Sequence, residues 1–400
     1  MKNEIIYAEI SKDINDSFET ALCNLNEIED EDALMIRGKS VKEIVDYKFV
    51  IENPIRRFLT CPYRYNNIMA TVAEVLWVFS GRNDLGYLSY FLPNAADFSD
   101  NEGQTWGGAY GPRLRYFSIF NRDYAYDPES MPSKIPSYDQ IKNVIETLKE
   151  DPFSRQAIIE IAQPDVDYDH RIKTKDRPCT LFIQFLIRDG KLDCFVKMRS
   201  NDVMWGCYNI NVFEWTFLQE IIAGILNVEV GYYNHNAVSF HLYMSMNDRV
   251  QKMINAKKYN VYNVERVLIQ PIKFAQLDGF YIATEHWMRC IEKSIADPKW
   301  EYNEEDAYNY LGTNTMPYLH YLNLVLAFIA MKQKKYEKAY QLLCFIDQWD
   351  ILIAGLEYFI RYIKRNTDDN TERNMINKIS NQSNMTQDSF KFIIGLWDEV

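Results

Sequence analysis

A chain of 400 residues exceeds the usual single-domain size, so a large domain with a smaller companion is expected. The composition, 47 % apolar and 25 % charged, is that of a globular protein, and the longest apolar run, Leu324 to Met331, is far too short to span a bilayer. A formal net charge of −12 disfavours broad nonspecific nucleic-acid binding, which needs a basic surface, although one cleft can still be basic.

In chain order, residues 1 to about 60 mix a polar lead with a strand-like stretch, Tyr47 to Glu52, and close on the basic Asn53-Pro54-Ile55-Arg56-Arg57. Asn67 to Ser80 predicts an apolar helix that carries a single acid, Glu74, with Gly81 as its stop. Asp97 to Arg115 reads as glycine-rich loop and Asp127 to Tyr138, with three prolines, as a surface connection. A helix over Gln140 to Lys149 and a strand over Arg155 to Ile161 follow. Leu181 to Arg188 and Leu192 to Met198 predict a hairpin closed by Asp189-Gly190. Val212 to Leu226 is a buried helix and Val228 to Tyr233 a strand. From Tyr281 onward the spacing is helical, except that the polar, Asn-rich stretch Asn366 to Asp388 predicts a mobile loop. The seven cysteines form no CxxC or Cys/His cluster, which argues against zinc and against a disulfide framework; with no secretory pattern at the start, a reducing cytoplasm is expected.

The hairpin region concentrates chemistry. Cys179 follows Pro178 directly, and a nearby arginine would favour its thiolate, although most free cysteines are simply small buried hydrophobes. Arg199-Ser200 pairs a guanidinium fork with a hydroxyl, a combination suited to phosphate or, more blandly, to a surface ion pair. Asp202 is either a ligand or a turn cap, and His241 and Tyr243 alternate on one face of a short extended segment. Glu74 is conspicuous because an acid on an apolar helix costs free energy unless it is paired or protonated, which marks it as an acid/base candidate.

These residues resemble the thymidylate synthases and their relatives, the pyrimidine nucleotide hydroxymethylases, over roughly residues 35 to 245. The elements stand in the family's order: the helix with Glu74, the loop Gly108 to Arg115, Asp151 to Ile159, Pro178-Cys179, Arg199 to Asn209, and His241 to Tyr243. The resemblance implies an α/β (α+β) fold with a mixed sheet and surrounding helices over residues 1–270, followed by an all-helical extension, 271–400. It implies a homodimer with shared sites that acts on a pyrimidine nucleoside monophosphate, with 5,10-methylenetetrahydrofolate as co-substrate and neither metal, nucleic acid nor membrane. Cys179 would add to carbon 6 of the base, Glu74 would relay protons, and Tyr110 would assist loss of the carbon-5 proton. Arg199, Ser200 and Arg37 would bind the phosphate, with Arg155 reaching the partner's. His241 and Tyr243 would hold the sugar, and Asp202 the folate ring.

Asn209 would read the base, favouring uracil over cytosine because an amide complements N3–H and O4. The Gly206–Asn209 spacing is one residue short of the synthase pattern, which leaves Asn211 as the alternative.

Several departures bear on activity. Arg155-Gln156 stands where the synthases pair two arginines, a loss worth about 1.5–3 kcal/mol unless another cation compensates. Met198 and Thr180 replace a usual glutamine and histidine. The loop Phe98-Ser99-Asp100 lacks the tryptophan that shields the intermediate, and no C-terminal lid is recognisable. A site open to water would hydroxymethylate rather than methylate. Thymidylate synthesis from dUMP is thus the first expectation and hydroxymethylation of dUMP or dCMP the second. A non-catalytic nucleotide-binding scaffold is the third, opposed by the presence of the nucleophile.

Overall fold

The computed structural model describes residues 8–117, 138–267, 269–302, 316–382 and 384–397; the predicted connection Asp127 to Tyr138 lies almost wholly outside them. A mixed seven-stranded sheet organises the chain. In sequence order its strands are β1 (Glu9–Ser11), β2 (Leu34–Ile36), β3 (Lys39–Ile51), β4 (Ile158–Glu160), β5 (Thr180–Arg188), β6 (Lys191–Asp202) and β7 (Glu229–Tyr243). The spatial order is β1-β3-β7-β6-β5-β4, with β2 hairpinned onto β3. β7 is central, antiparallel to β3 and parallel to β6.

The hairpin β5–β6 turns where predicted. Asp189 and Gly190 both have positive φ (49° and 75°), the two-residue geometry that matches strand twist. Arg37 and Gly38 repeat it (49° and 75°) between β2 and β3. Along β6, Leu192, Cys194, Val196 and Met198 are buried at every second position, so one sheet face carries the core. The other face carries Phe182, Gln184, Phe195, Lys197 and Asn236 around a shallow groove.

Two apolar helices lie over the core: α2 (Ile68–Phe79) and α7 (Val212–Leu226). Asn67 caps α2, its side-chain oxygen accepting the Ala70 N–H at 3.2 Å. Gly81 stops it at φ +79°, where a Cβ would meet Tyr116 at 2.5 Å. α7 ends on left-handed Asn227 (φ 54°). Between them come α3 (Leu85–Phe91), α4 (Tyr110–Arg115), α5 (Gln140–Glu150) and the single turn α6 (Pro164–Asp167). After β7 follow α8 (Asn247–Asn255), α9 (Val261–Val264) and α10 (Leu277–Ala296), then α11 (Met316–Lys332), α12 (Tyr336–Cys344), α13 (Trp349–Asn366), α14 (Asp369–Ser380) and α15 (Gln387–Ile394).

Four expectations change. The strand predicted at Tyr47 begins eight residues earlier, at Lys39, because β2 and β7 both pair with its first half. The strands predicted at Val228 and around His241 are one, β7, which β3 and β6 flank along its length. The loop Asp97 to Arg115 ends in α4, pinned by Arg113, whose guanidinium forks onto buried Asp167 at 2.6 and 2.7 Å. The predicted loop Asn366 to Asp388 contains α14, capped by Asp368 and docked through buried Met375 and Ile379. Its polar composition records exposure, not disorder.

The C-terminal helices are packed onto the sheet unit. α10, α11 and α13 all lie against α2. At the junction a fully buried Arg57 donates to Glu220 of α7 at 2.5 Å and to the Tyr321 hydroxyl of α11 at 2.9 Å. Among the described residues no helix is long and apolar enough to cross a membrane.

Candidate active site

A cavity of about 430 Å³ opens between the C-terminal end of β6, α2 and the start of α7, a volume typical of small-molecule sites. Its floor is Cys179, placed just before β5. Arg199, across the β5–β6 ladder, holds this corner together. Its backbone N–H bonds to the Cys179 carbonyl at 2.9 Å, and its guanidinium donates to the Pro178 carbonyl at 2.9 Å and the Arg177 carbonyl at 3.0 Å. The same group reaches the Cys179 sulfur at 3.5 Å. Ser200 and, from the β2–β3 turn, Arg37 complete a cationic and hydroxylic side.

The predicted effect of arginine on the thiol is present but outweighed. Burial pushes the Cys179 thiol above its usual range; Arg199 pulls it down, Asp176 pushes it up and Arg37 pulls it down. Asp176 is held in place by the Gly108 N–H at 2.9 Å. A Cβ at Gly108 would lie 2.5 Å from the Asp176 carboxylate, which would have to shift to make room.

Glu74 faces the cavity from α2, and burial pushes its carboxyl up to about 7. Tyr110, the first residue of α4, accepts the Thr180 N–H at 3.3 Å, which sets its hydroxyl beside Cys179. Asp202 ends β6. Its Oδ1 accepts the N–H groups of Met204 and Trp205 at 2.6 and 3.1 Å, so the turn-cap reading holds, yet its side chain also lines the cavity. His241 and Tyr243 approach from the end of β7 with rings edge to face at 5.2 Å, and the buried Nδ1 of His241 has no partner.

Two of the expected residues do not line this cavity. Arg155, expected to serve a partner's site, is exposed on the loop before β4. Asn209 is absent from the lining as well, and Asn211 is present. The reason is local: Val203–Asn211 winds as a wide, π-type helix in which the Val212 N–H bonds back to the Cys207 carbonyl. Such a turn absorbs an extra residue and rotates the next side chains. Asn211 is thereby carried to the cavity wall, 5 % exposed.

Residues that the sequence did not single out also line the site. Trp77 and Trp106 meet edge to face at 5.9 Å on one wall, at a different place in the chain from Phe98-Ser99-Asp100. Glu214, one turn after Asn211, is 1 % exposed; burial and then the charge of Glu74 push its carboxyl well above the usual range, against one Asn211 contact at 3.4 Å. Its place in an apolar run, like that of Glu74, was the available signal. Among the described residues no group of acids, histidines and cysteines could hold a metal ion.

A mixed-sheet fold thus sets a cysteine beside an arginine, with an acid and a tyrosine on the same cavity. A family profile for thymidylate synthase matches residues 36–283, more than half of the chain, and the chain belongs to the thymidylate synthase family. Two phage proteins named deoxyuridylate hydroxymethyltransferase are similar to it. That of Bacillus phage SP01 is 38 % identical over 218 residues, 54 % of each chain. That of Delftia phage PhiW-14 is 33 % identical over 220 residues, 53 % of this chain and 56 % of the relative. A thymidylate synthase of Bacillus licheniformis is 29 % identical over 189 residues, 47 % of this chain and 62 % of the relative. The chain thus spans about half the length of the curated relatives it matches.

Proposed function

We propose that the chain transfers a one-carbon unit from methylenetetrahydrofolate to carbon 5 of a uracil nucleoside monophosphate, and that the product is the hydroxymethyl nucleotide. The observation that carries the reaction class is the convergence of Cys179, Tyr110 and Glu74 on one cavity. The Cys179 sulfur adds to carbon 6 of the base, which turns carbon 5 into a nucleophile. Tyr110 takes part in removing the carbon-5 proton, and Glu74, poised near neutrality, moves protons at the C4 carbonyl. Arg199, Ser200 and Arg37 bind the phosphate, and the unpartnered Nδ1 of His241 suits a sugar hydroxyl, with Tyr243 beside it. Asn211, in place of Asn209, reads the N3–H and O4 edge.

The folate fits the opposite rim. No donor among the described residues reaches Oδ2 of Asp202, and Trp77 and Trp106 offer an aromatic wall. The folate would supply the carbon unit. The sheet's outward groove, with Arg155 near its edge, supports a homodimer whose partner receives that arginine at its phosphate site.

Hydroxymethylation is placed ahead of methylation because relatives more similar than the synthases carry that name, and because a second carboxyl, Glu214, stands in the cavity. Thymidylate synthesis is the second reading, favoured by the tryptophan wall. Mass spectrometry of dUMP and dCMP after incubation with methylenetetrahydrofolate separates them. A hydroxymethyl gain with tetrahydrofolate released is expected, and a methyl gain with dihydrofolate formed selects the second reading. Cys179→Ala retaining turnover would sink both.

A further inference from the structure

Glu214 differs from the other buried acids. Asp13, Asp350 and Glu265 pair with no cation among the described residues, but each accepts two or more hydrogen bonds at 3.2 Å or less. Glu220 holds Arg57, Asp167 holds Arg113 and Glu357 holds Arg361, each at 2.8 Å or less. No cation among the described residues pairs with Glu214, which accepts one long hydrogen bond from the Asn211 amide at 3.4 Å. A buried carboxyl without a cation costs free energy, and an apolar residue at this buried position of α7 would remove that cost. Its surroundings are those of the reaction. It lines the cavity with Asn211, Glu74 and Tyr110, and its charge acts on Tyr110 as Glu74's acts on it. On the reading above Asn211 and Glu74 meet the C4 edge of the base, and Glu214 lines the same cavity one turn beyond Asn211.

We propose that Glu214 is a second catalytic carboxyl, which holds and deprotonates the water that adds to the C5-methylene carbon of the bound pyrimidine. The proposal rests on the hydroxymethylation reading. In this step the water oxygen bonds to the methylene carbon and its proton passes to a carboxylate oxygen of Glu214. The carbon–carbon double-bond pair moves into the ring as an enolate at C4, steadied by protonated Glu74. Return of that pair expels the Cys179 sulfur from carbon 6 as thiolate, and the Glu214 proton neutralises it through solvent. Water is the only added reactant, and nothing is oxidised or reduced. Two carboxyls in one dry cavity divide one proton between them; burial and the charge of Glu74 favour it on Glu214 in the resting pocket, and the step runs from the state in which it lies on Glu74 and Glu214 is free to accept.

The test compares full-length wild type with Glu214→Gln on dUMP labelled with tritium at carbon 5. Three readouts are followed: tritium release, hydroxymethyl product, and the thioether formed when an added small thiol captures the methylene. The glutamine variant is expected to form hydroxymethyl product about 100-fold more slowly or worse. It should release tritium at a rate within about threefold of wild type and divert the methylene to the thioether. Glu214→Asp, which retains the charge one methylene further back, should recover part of the product and report on folding. Hydroxymethyl product from Glu214→Gln at the wild-type rate would overturn the proposal, as would parallel loss of tritium release and product in both variants. A wild type that forms only methyl product fails the underlying reading instead.

Discussion

Asp176 and Arg199 act on the same sulfur with opposite signs. Removing the carboxylate's charge in Asp176→Asn, which keeps an acceptor for the Gly108 N–H, should lower the thiol pKa and speed iodoacetamide alkylation of Cys179 about 3- to 10-fold near neutral pH. Alkylation slower than wild type would show that Asp176 does not raise the thiol. Glu74 makes a second residue-scale prediction. Its folded value of about 7 lies above the model-peptide 4.5, so the folded state binds the extra proton. Stability is therefore fully present below about 4.5 and declines as pH rises through about 7, by on the order of 3 kcal/mol in total. Denaturant midpoints measured across that window should fall for wild type and fall less for Glu74→Gln, which should also lose turnover.

At the scale of elements, the wide helical turn Val203–Asn211 brings Asn211, and not Asn209, to the cavity wall. Asn211→Asp should cut kcat/KM for dUMP by about 10³-fold or more and raise relative use of dCMP, since a protonated carboxyl donates to N3 and accepts from N4. Asn209→Ala, off the cavity wall, should change dUMP kinetics less than about threefold. The reverse ranking would return the base-reading role to Asn209. β6 shows why this turn sits where it does: its end is tied to β7 through Asp202 opposite His241, so an extra residue is accommodated after the strand.

For the whole molecule, the helices after residue 276 stand behind the wall that carries Glu74. α10, α11 and α13 pack on α2, and Arg57 ties α7 to α11 in the buried interior. Glu220→Gln leaves Arg57 buried without its counter-charge and should destabilise the chain by about 3–5 kcal/mol, whereas Arg57→Met with Glu220→Leu should recover most of that. Chemical unfolding followed by Trp fluorescence checks both. Equal loss in single and double variants would mean that packing, and not the pair, holds the junction.

Periodicity and turn chemistry alone located α2, α5, α7 and the β5–β6 hairpin, because a single apolar face, a cap or an Asp-Gly turn dictates each locally. Ordered motifs made Cys179, Glu74, Tyr110 and Arg199 legible as candidates, since the residue types bear their chemistry on their face. Tertiary structure decided what depends on distant partners. It lengthened β3 and β7 by pairing them with each other, and it made a helix of polar α14 by giving Met375 and Ile379 a surface to bury. It set the sign of the shift at Cys179, where burial outweighs arginine, and it brought Glu214 into the cavity of Glu74, two acids 140 positions apart that only the packing of α7 beside α2 makes neighbours.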